Sequence, residues 1–401
     1  MWLRRWWVLA LIGVLGLLGP VARAQEGTAP ITIEGVALRQ VLDAPVPLYL
    51  TASIDDARAR WMRDAMAIAL QEVPRLTGLA LPQQRLEFYL FSDPREMATL
   101  SSQLLRAPGP RVAPECFALA ASGTPRRGIY CQADGWESAA QALDYVAHEL
   151  THQVEQGDSP QRRDLAQWFN EGLAEHVQQL VVRERYPAYA ARDRWLREAR
   201  VASALHTERL PRLGDLTSNA RWQQAAAGGW AGLIYAHSSL VVDWLAGQYG
   251  LDRVVEVVRR TGAPLRFDEV FHEVFGLSVA EAEQGARAAF EAELLPRYPR
   301  GLSVFESDEP GEKAVYFAVV GFQPREWLTK EYRYADGAPA DGVGATGTQP
   351  DSDRTDLSGF ATWRWTRTGA LPPGQPPRVE LTVRGSAGST ATQSATLPTV
   401  P

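Results

Sequence analysis

Residues 147–153 read AHELTHQ, two histidines four apart with a glutamate directly after the first. On a helix, positions i and i+4 share a face, so the rings of His148 and His152 point the same way and Glu149 lies one step round. This spacing suits two imidazole ligands of one zinc ion, with a carboxylate placed to handle a water beside it. A hydrolytic zinc keeps one coordination position open, so a third protein ligand is required. The segment WFNEGLAEH (168–176) supplies a candidate, since Glu171 lies nineteen positions after His152. A helix, a turn around 157–160 and a returning helix fit that interval. Glu175, four residues further on the same face, is placed to accept from an imidazole N–H, as metal-bound histidines require.

The surrounding pattern supports two consecutive helices. Asp134 and Glu137 have the spacing of a capping box, and Gly157 marks a stop. Ala139, Leu143, Val146, Leu150 and Val154 form an apolar stripe between them. A second helix is predicted over 165–182, with Trp168, Phe169, Leu173, Val177 and Leu180 inward. Upstream, 31–53, RLEFYLF (85–91) and RGIYCQ (127–132) read as strands, with a helix over 55–77. Downstream, helices are predicted over 187–204, 228–249, 251–261, 267–275 and 278–294. Past Arg300 the helical period gives way to AVYFAVVGF (314–322), TKEYRYA (329–335), FATWRWT (360–366) and RVELTVRG (378–385), with turns such as LPPGQPP (371–377) between them. That texture predicts a small antiparallel β-sandwich. Residues 336–358 read as a long loop, and the tail from Ser386 as a further strand or a disordered end.

HELTHQ followed by WFNEGLAEH resembles the gluzincin metallopeptidases, such as thermolysin and aminopeptidase N, and most of all small bacterial peptidase-MA-like domain proteins. The resemblance covers roughly 30–295. It implies an α+β zincin-like catalytic domain, an N-terminal mixed sheet plus a helical subdomain, ahead of the Ig-like β-sandwich. It implies one zinc per chain on His148, His152 and Glu171, with Glu149 as general base. RGIYCQ would be the edge strand lining the substrate cleft. The family's oxyanion donor, a Tyr or His on a later helix, falls on Tyr235 of WAGLIYAHSSLVVDWLAGQYG (230–250), with His237 as the other candidate. The apolar neighbours of Tyr235 leave a core role open. His176, where relatives often carry Tyr, is a fourth ligand or a cleft-wall residue. The GxMEN-type segment with which aminopeptidases grip a free N-terminus is absent, which points to an endopeptidase.

The expected organisation is a signal peptide over 1–24, a metallopeptidase domain over 25–299 and a separable C-terminal domain over 300–401. Arg4 and Arg5, the apolar run 6–18 and Ala22-Arg23-Ala24 make up the export signal; the alternative is an uncleaved anchor. An exported chain, extracellular, periplasmic or on a bacterial surface, makes Cys116 and Cys131 a disulfide pair, a two-cysteine zinc site being the other reading. With 401 residues and a net charge of -6 without a basic run, a nucleic-acid surface is excluded as partner. No later apolar run is long enough to span a membrane. The expected partner is a peptide or protein substrate, with a surface or another protein for the C-terminal domain. Two other functions fit the residues: a zinc fold serving as scaffold for a binding β-sandwich, and a zinc hydrolase of a non-peptide substrate.

Overall fold

The computed structural model describes residues 31–33, 35–83, 86–97, 116–119, 128–157, 164–262, 265–307, 314–334, 342–344, 354–367 and 378–396. The expected signal peptide, the turn 371–377 and most of the loop 336–358 lie outside them.

The N-terminal part is a mixed sheet built from β1 (Ile31–Ile33), β2 (Val36–Val41), β3 (Leu48–Thr51), β4 (Glu87–Phe91), β5 (Cys116–Leu119) and β6 (Gly128–Gln132). Their order is β1-β2-β3-β4-β6-β5, with β3, β4 and β6 parallel and the other pairs antiparallel. Alternate residues point to opposite faces. Leu48, Leu50, Phe88, Leu90, Ile129 and Cys131 therefore share a core with helix α1 (Asp56–Thr77), which presents Met62, Met66, Ala69 and Val73. Tyr49, Tyr89, Tyr130 and Phe117 stack in a row on the other face, with neighbouring ring centroids 5.2, 4.4 and 5.1 Å apart.

One expectation changes here and one is met. The GIYCQ part of RGIYCQ forms β6, an inner strand; among the described residues the edge is β5. Cys116 and Cys131 stand directly opposite each other in the β5–β6 pair and form a disulfide.

Among the described residues the α-helices that follow are α2 (Ala139–Gln156), α3 (Gln167–Arg185), α4 (Pro187–His206), α5 (Asn219–Ala225), α6 (Ala231–Tyr249), α7 (Leu251–Arg260), α8 (Phe267–Phe275) and α9 (Val279–Arg297). The capping box at Asp134 and Glu137 does not form. Ser138 is the N-cap of α2, accepting from the Gln141 N–H, while the Glu137 N–H goes to Gln141 Oε1. The helix expected from 228 starts at Ala231, because Gly229 takes φ 91° and breaks the path from α5. Where α3 crosses α6, a Cβ on Gly172 would lie 2.5 Å from the Ser238 carbonyl oxygen. Only glycine permits that approach, which brings the carboxylates of α3 up to α6. No helix of the described residues is long and apolar enough to cross a membrane.

The C-terminal part holds β7 (Gly301–Glu306), β8 (Ala314–Val320), β9 (Leu328–Tyr334), β10 (Gly342–Gly344), β11 (Ala361–Arg367), β12 (Arg378–Gly385) and β13 (Thr390–Thr396). They form two small antiparallel sheets, β10-β11-β8-β7 and β13-β12-β9. Val315, Phe317, Val319, Trp363, Trp365, Val379, Leu381 and Val383 fill the space between them. Residues expected as tail or strand from Ser386 form β13. The expectation of a separable domain meets a shared core, since β8 is buried on both faces. Ala314, Tyr316, Ala318 and Val320 belong to the same core as the helices. Arg192 and Trp195 of α4 donate to Tyr316 Oη at 2.6 Å and Ser303 Oγ at 2.9 Å.

Candidate metal centre

Helix α2 packs Leu143, Val146, Leu150 and Val154 into the core. His148 and His152 emerge from it toward α3. Their Nε2 atoms lie 3.2 Å apart, and Glu171 Oε2 lies 3.3 Å from the first and 3.4 Å from the second. All three side chains are buried. A four-coordinate ion with ligands at about 2.0–2.1 Å separates them by roughly 3.3–3.4 Å. The near-equilateral triangle therefore has the size of one face of a zinc tetrahedron. Three electron-rich atoms so close need a positive charge among them, so the donor set fits zinc.

The far side of each ligand is also held. Glu171 Oε1 accepts from Gln167 Nε2 at 2.6 Å, one turn earlier on α3. His148 Nδ1 lies 2.8 Å from Gln178 Oε1 and 3.3 Å from Glu175 Oε1. Gln178 donates its Nε2 to Asp144 Oδ1 at 2.8 Å, which turns its oxygen toward the imidazole. An accepting oxygen there puts the proton on Nδ1 and leaves Nε2 free to bind a cation. Glu175 also forms an ion pair with Arg197 of α4. His152 Nδ1 lies 3.0 Å from Glu155 Oε2. Gln167, Gln178, Asp144 and Glu155 were not singled out in the sequence. Nothing in the sequence marks them off from exposed polar positions; their burial comes from the packing of α2 on α3.

The charges are unbalanced without a cation. Glu149, Glu155, Glu171 and Glu175 are buried, or nearly so, around the two imidazoles, with Arg197 as the neighbouring positive group. Burial works to raise the Glu171 carboxyl, but His152 and His148 outweigh it and hold the group far below its usual range. Burial works to lower His152, but Glu171 and Glu155 push it up to about 10. His148 is likewise raised against burial, by Glu171 and Glu175. Protons thus take the positive charge when no metal does, and a metal must displace them. Glu149 is not part of the triangle. Burial raises its carboxyl, the nearby imidazoles moderate that, and it accepts from the Ala118 backbone N–H of β5.

Tyr235, on α6, faces the cluster, with its ring centroid 6.3 Å from that of His148. The indole N–H of Trp222 donates to its hydroxyl. Burial and the nearby Glu171, Glu175 and Glu149 keep the phenol protonated far above its usual range. His237 is not brought to the site. Its ring packs 6.4 Å from Phe290 of α9, where burial and then Arg287 lower it to about 3. His176 is not brought there either; its Nδ1 pairs with Asp243 and ties α3 to α6.

No family model matches the chain, and no curated protein matches it. Solved structures are similar to it. One is an aminopeptidase N family protein from Idiomarina loihiensis, 10% identical with a TM-score of 0.41, the match covering 93% of this chain and 67% of that one. Another is Legionella pneumophila aminopeptidase A in complex with aspartic acid, 12% identical with a TM-score of 0.34, covering 84% of this chain and 36% of that one. At that level of likeness the chemistry rests on the side chains themselves.

Proposed function

We propose that this chain is an exported, zinc-dependent peptidase of the gluzincin type that cleaves within peptide chains. The observation that carries the reading is the buried triangle of His148, His152 and Glu171, with a fourth carboxylate, Glu149, beside it and outside it. Zinc held there would polarise the scissile carbonyl and make water a better nucleophile. Glu149 would take the proton of the attacking water and hand it to the leaving amine. Its raised affinity for protons suits both transfers. Tyr235 would donate to the oxygen on which charge develops; its own proton is free for that, because Trp222 already donates to the hydroxyl. A scaffold for a binding protein has no use for Glu149 in that place.

Export is the proposal for 1–24, and the Cys116–Cys131 disulfide supports an oxidising compartment. Internal cleavage is part of the proposal, and the absent GxMEN-type segment is what supports it.

The test is hydrolysis of a protein and of an N-terminally blocked peptide by the zinc-loaded chain, with and without chelator, beside Glu149→Gln. The variant should keep zinc and lose about 10²–10⁴ of turnover. Full activity in Glu149→Gln, or in chelator-treated enzyme, would sink the mechanism.

A further inference from the structure

Glu155 has no place in the chemistry above, and its setting is unusual. It is 0% exposed, on the buried side of α2, one turn after His152. Among the described residues its one side-chain partner is His152 Nδ1, at 3.0 Å from Oε2, while Oε1 has none. No lysine or arginine among the described residues pairs with it. Burying a carboxylate costs several kcal/mol, and one hydrogen bond from a neutral imidazole offsets only part of that. An imidazole that carries part of a dication's charge offsets far more.

A second neighbour gives the carboxylate a specific task. The side-chain amide of Asn170 also approaches His152 Nδ1, with Nδ2 at 3.3 Å. An amide can donate or accept. Were Asn170 to donate, the imidazole proton would move to Nε2, the atom that faces Glu171, and the ligand would be lost. A carboxylate can only accept, so Glu155 forces the proton onto Nδ1.

Building on the zinc reading, we propose that Glu155 is a positioning residue: it accepts the Nδ1–H of His152, fixes the tautomer that exposes Nε2, and strengthens that imidazole's hold on a divalent cation. His148 has an amide, Gln178, as its shortest partner in the equivalent place, so the two imidazoles are supported unequally.

The test is Zn²⁺ affinity, measured by competition with a chromophoric chelator, for the wild type, Glu155→Gln and Glu155→Leu, with the visible spectrum of the Co²⁺-loaded proteins. The glutamine, which keeps an acceptor without the charge, should weaken zinc about tenfold, and leucine about 10–100-fold, with shifted cobalt bands. Wild-type affinity and unshifted bands in both variants overturn the proposal. A wild type that binds no zinc refutes the zinc reading itself, a separate result. Should the variants not fold, nitrogen NMR of the zinc-loaded wild type decides: His152 must carry its proton on Nδ1, and a bare Nδ1 overturns the assignment.

Discussion

Tyr235 and His237 are two residues apart on α6, about 200° round a helix at 100° per residue, so one of them at most can face the cluster. The sequence held both candidates; the packing of α6 against α9 chose between them. If Tyr235 acts mainly in the transition state, Tyr235→Phe should lower kcat by roughly ten- to a thousand-fold with little change in KM or zinc content. Steady-state kinetics with zinc analysis check this, and an unchanged kcat would return Tyr235 to the core. His237 yields a prediction about acid. Its native value of about 3 lies below the unfolded value near 6.5. Its contribution to stability is complete above the unfolded value and is lost as pH falls through the window toward 3, by an amount on the order of a few kcal/mol. In metal-free protein, His148 and His152 stay protonated across that window and add no slope of this sign. Between pH 7 and pH 4, denaturant titrations should show the wild type losing stability relative to His237→Phe, whatever slope the buried carboxyls such as Asp144 add to both. An equal slope in both proteins would mean that His237 is protonated in the folded state.

At the scale of elements, the glycine in NEGLAEH decides how near α3 comes to α6. An added methyl at Gly172 would meet the Ser238 carbonyl oxygen at 2.5 Å and Val242 Cγ2 at 2.9 Å. Gly172→Ala should cost about 1–3 kcal/mol and weaken zinc binding, because Glu171 must move with the helix. Calorimetry and chelator competition read the two effects, and a variant neutral in both would show that the helices can part freely. The candidate ligands were legible because metal chemistry demands particular residue types at helical spacing. His148, His152 and Glu171 are fixed by that demand, and Glu149 by its place in the motif. Glu155 and Gln178 were not legible, since nothing in a single chain tells a buried polar position from an exposed one until α2 and α3 are packed together. Strand β5 was missed for a related reason. Four residues, CFAL, carry little alternation, and their strand character comes from pairing with β6 and from the disulfide. The start of α2 was misplaced because Ser138 competes with Asp134 for the cap, and the apolar stripe fits either.

Across the whole molecule, the change from helix to strand near Arg300 was visible in composition, but the packing of β8 against the helices was not. Turn residues and alternation report a sheet; they do not report that one of its strands has two buried faces. Helix α4 carries the connection. Arg197 on one side pairs with Glu175, which in turn supports His148. Arg192, five positions earlier, and Trp195 bond to Tyr316 and Ser303 of the sheets. The same rigid rod is therefore a wall of both compartments. Trp363 and Trp365 lie fully buried between the sheets, so the difference in emission between the wild type and a Trp363→Phe, Trp365→Phe variant reports on that end, while zinc release reports on the other. On heating, the loss of their buried emission and the release of zinc should occur in one transition at one temperature. Two separated transitions would show that the halves fail independently. A chain stopped at Arg300 should fail to give a soluble, cooperatively melting protein, because the flank of α4 that meets β8 would face water. Should the single transition be found, cooperativity would be a property of one shared helix, and the smallest piece able to come apart would be larger than either half.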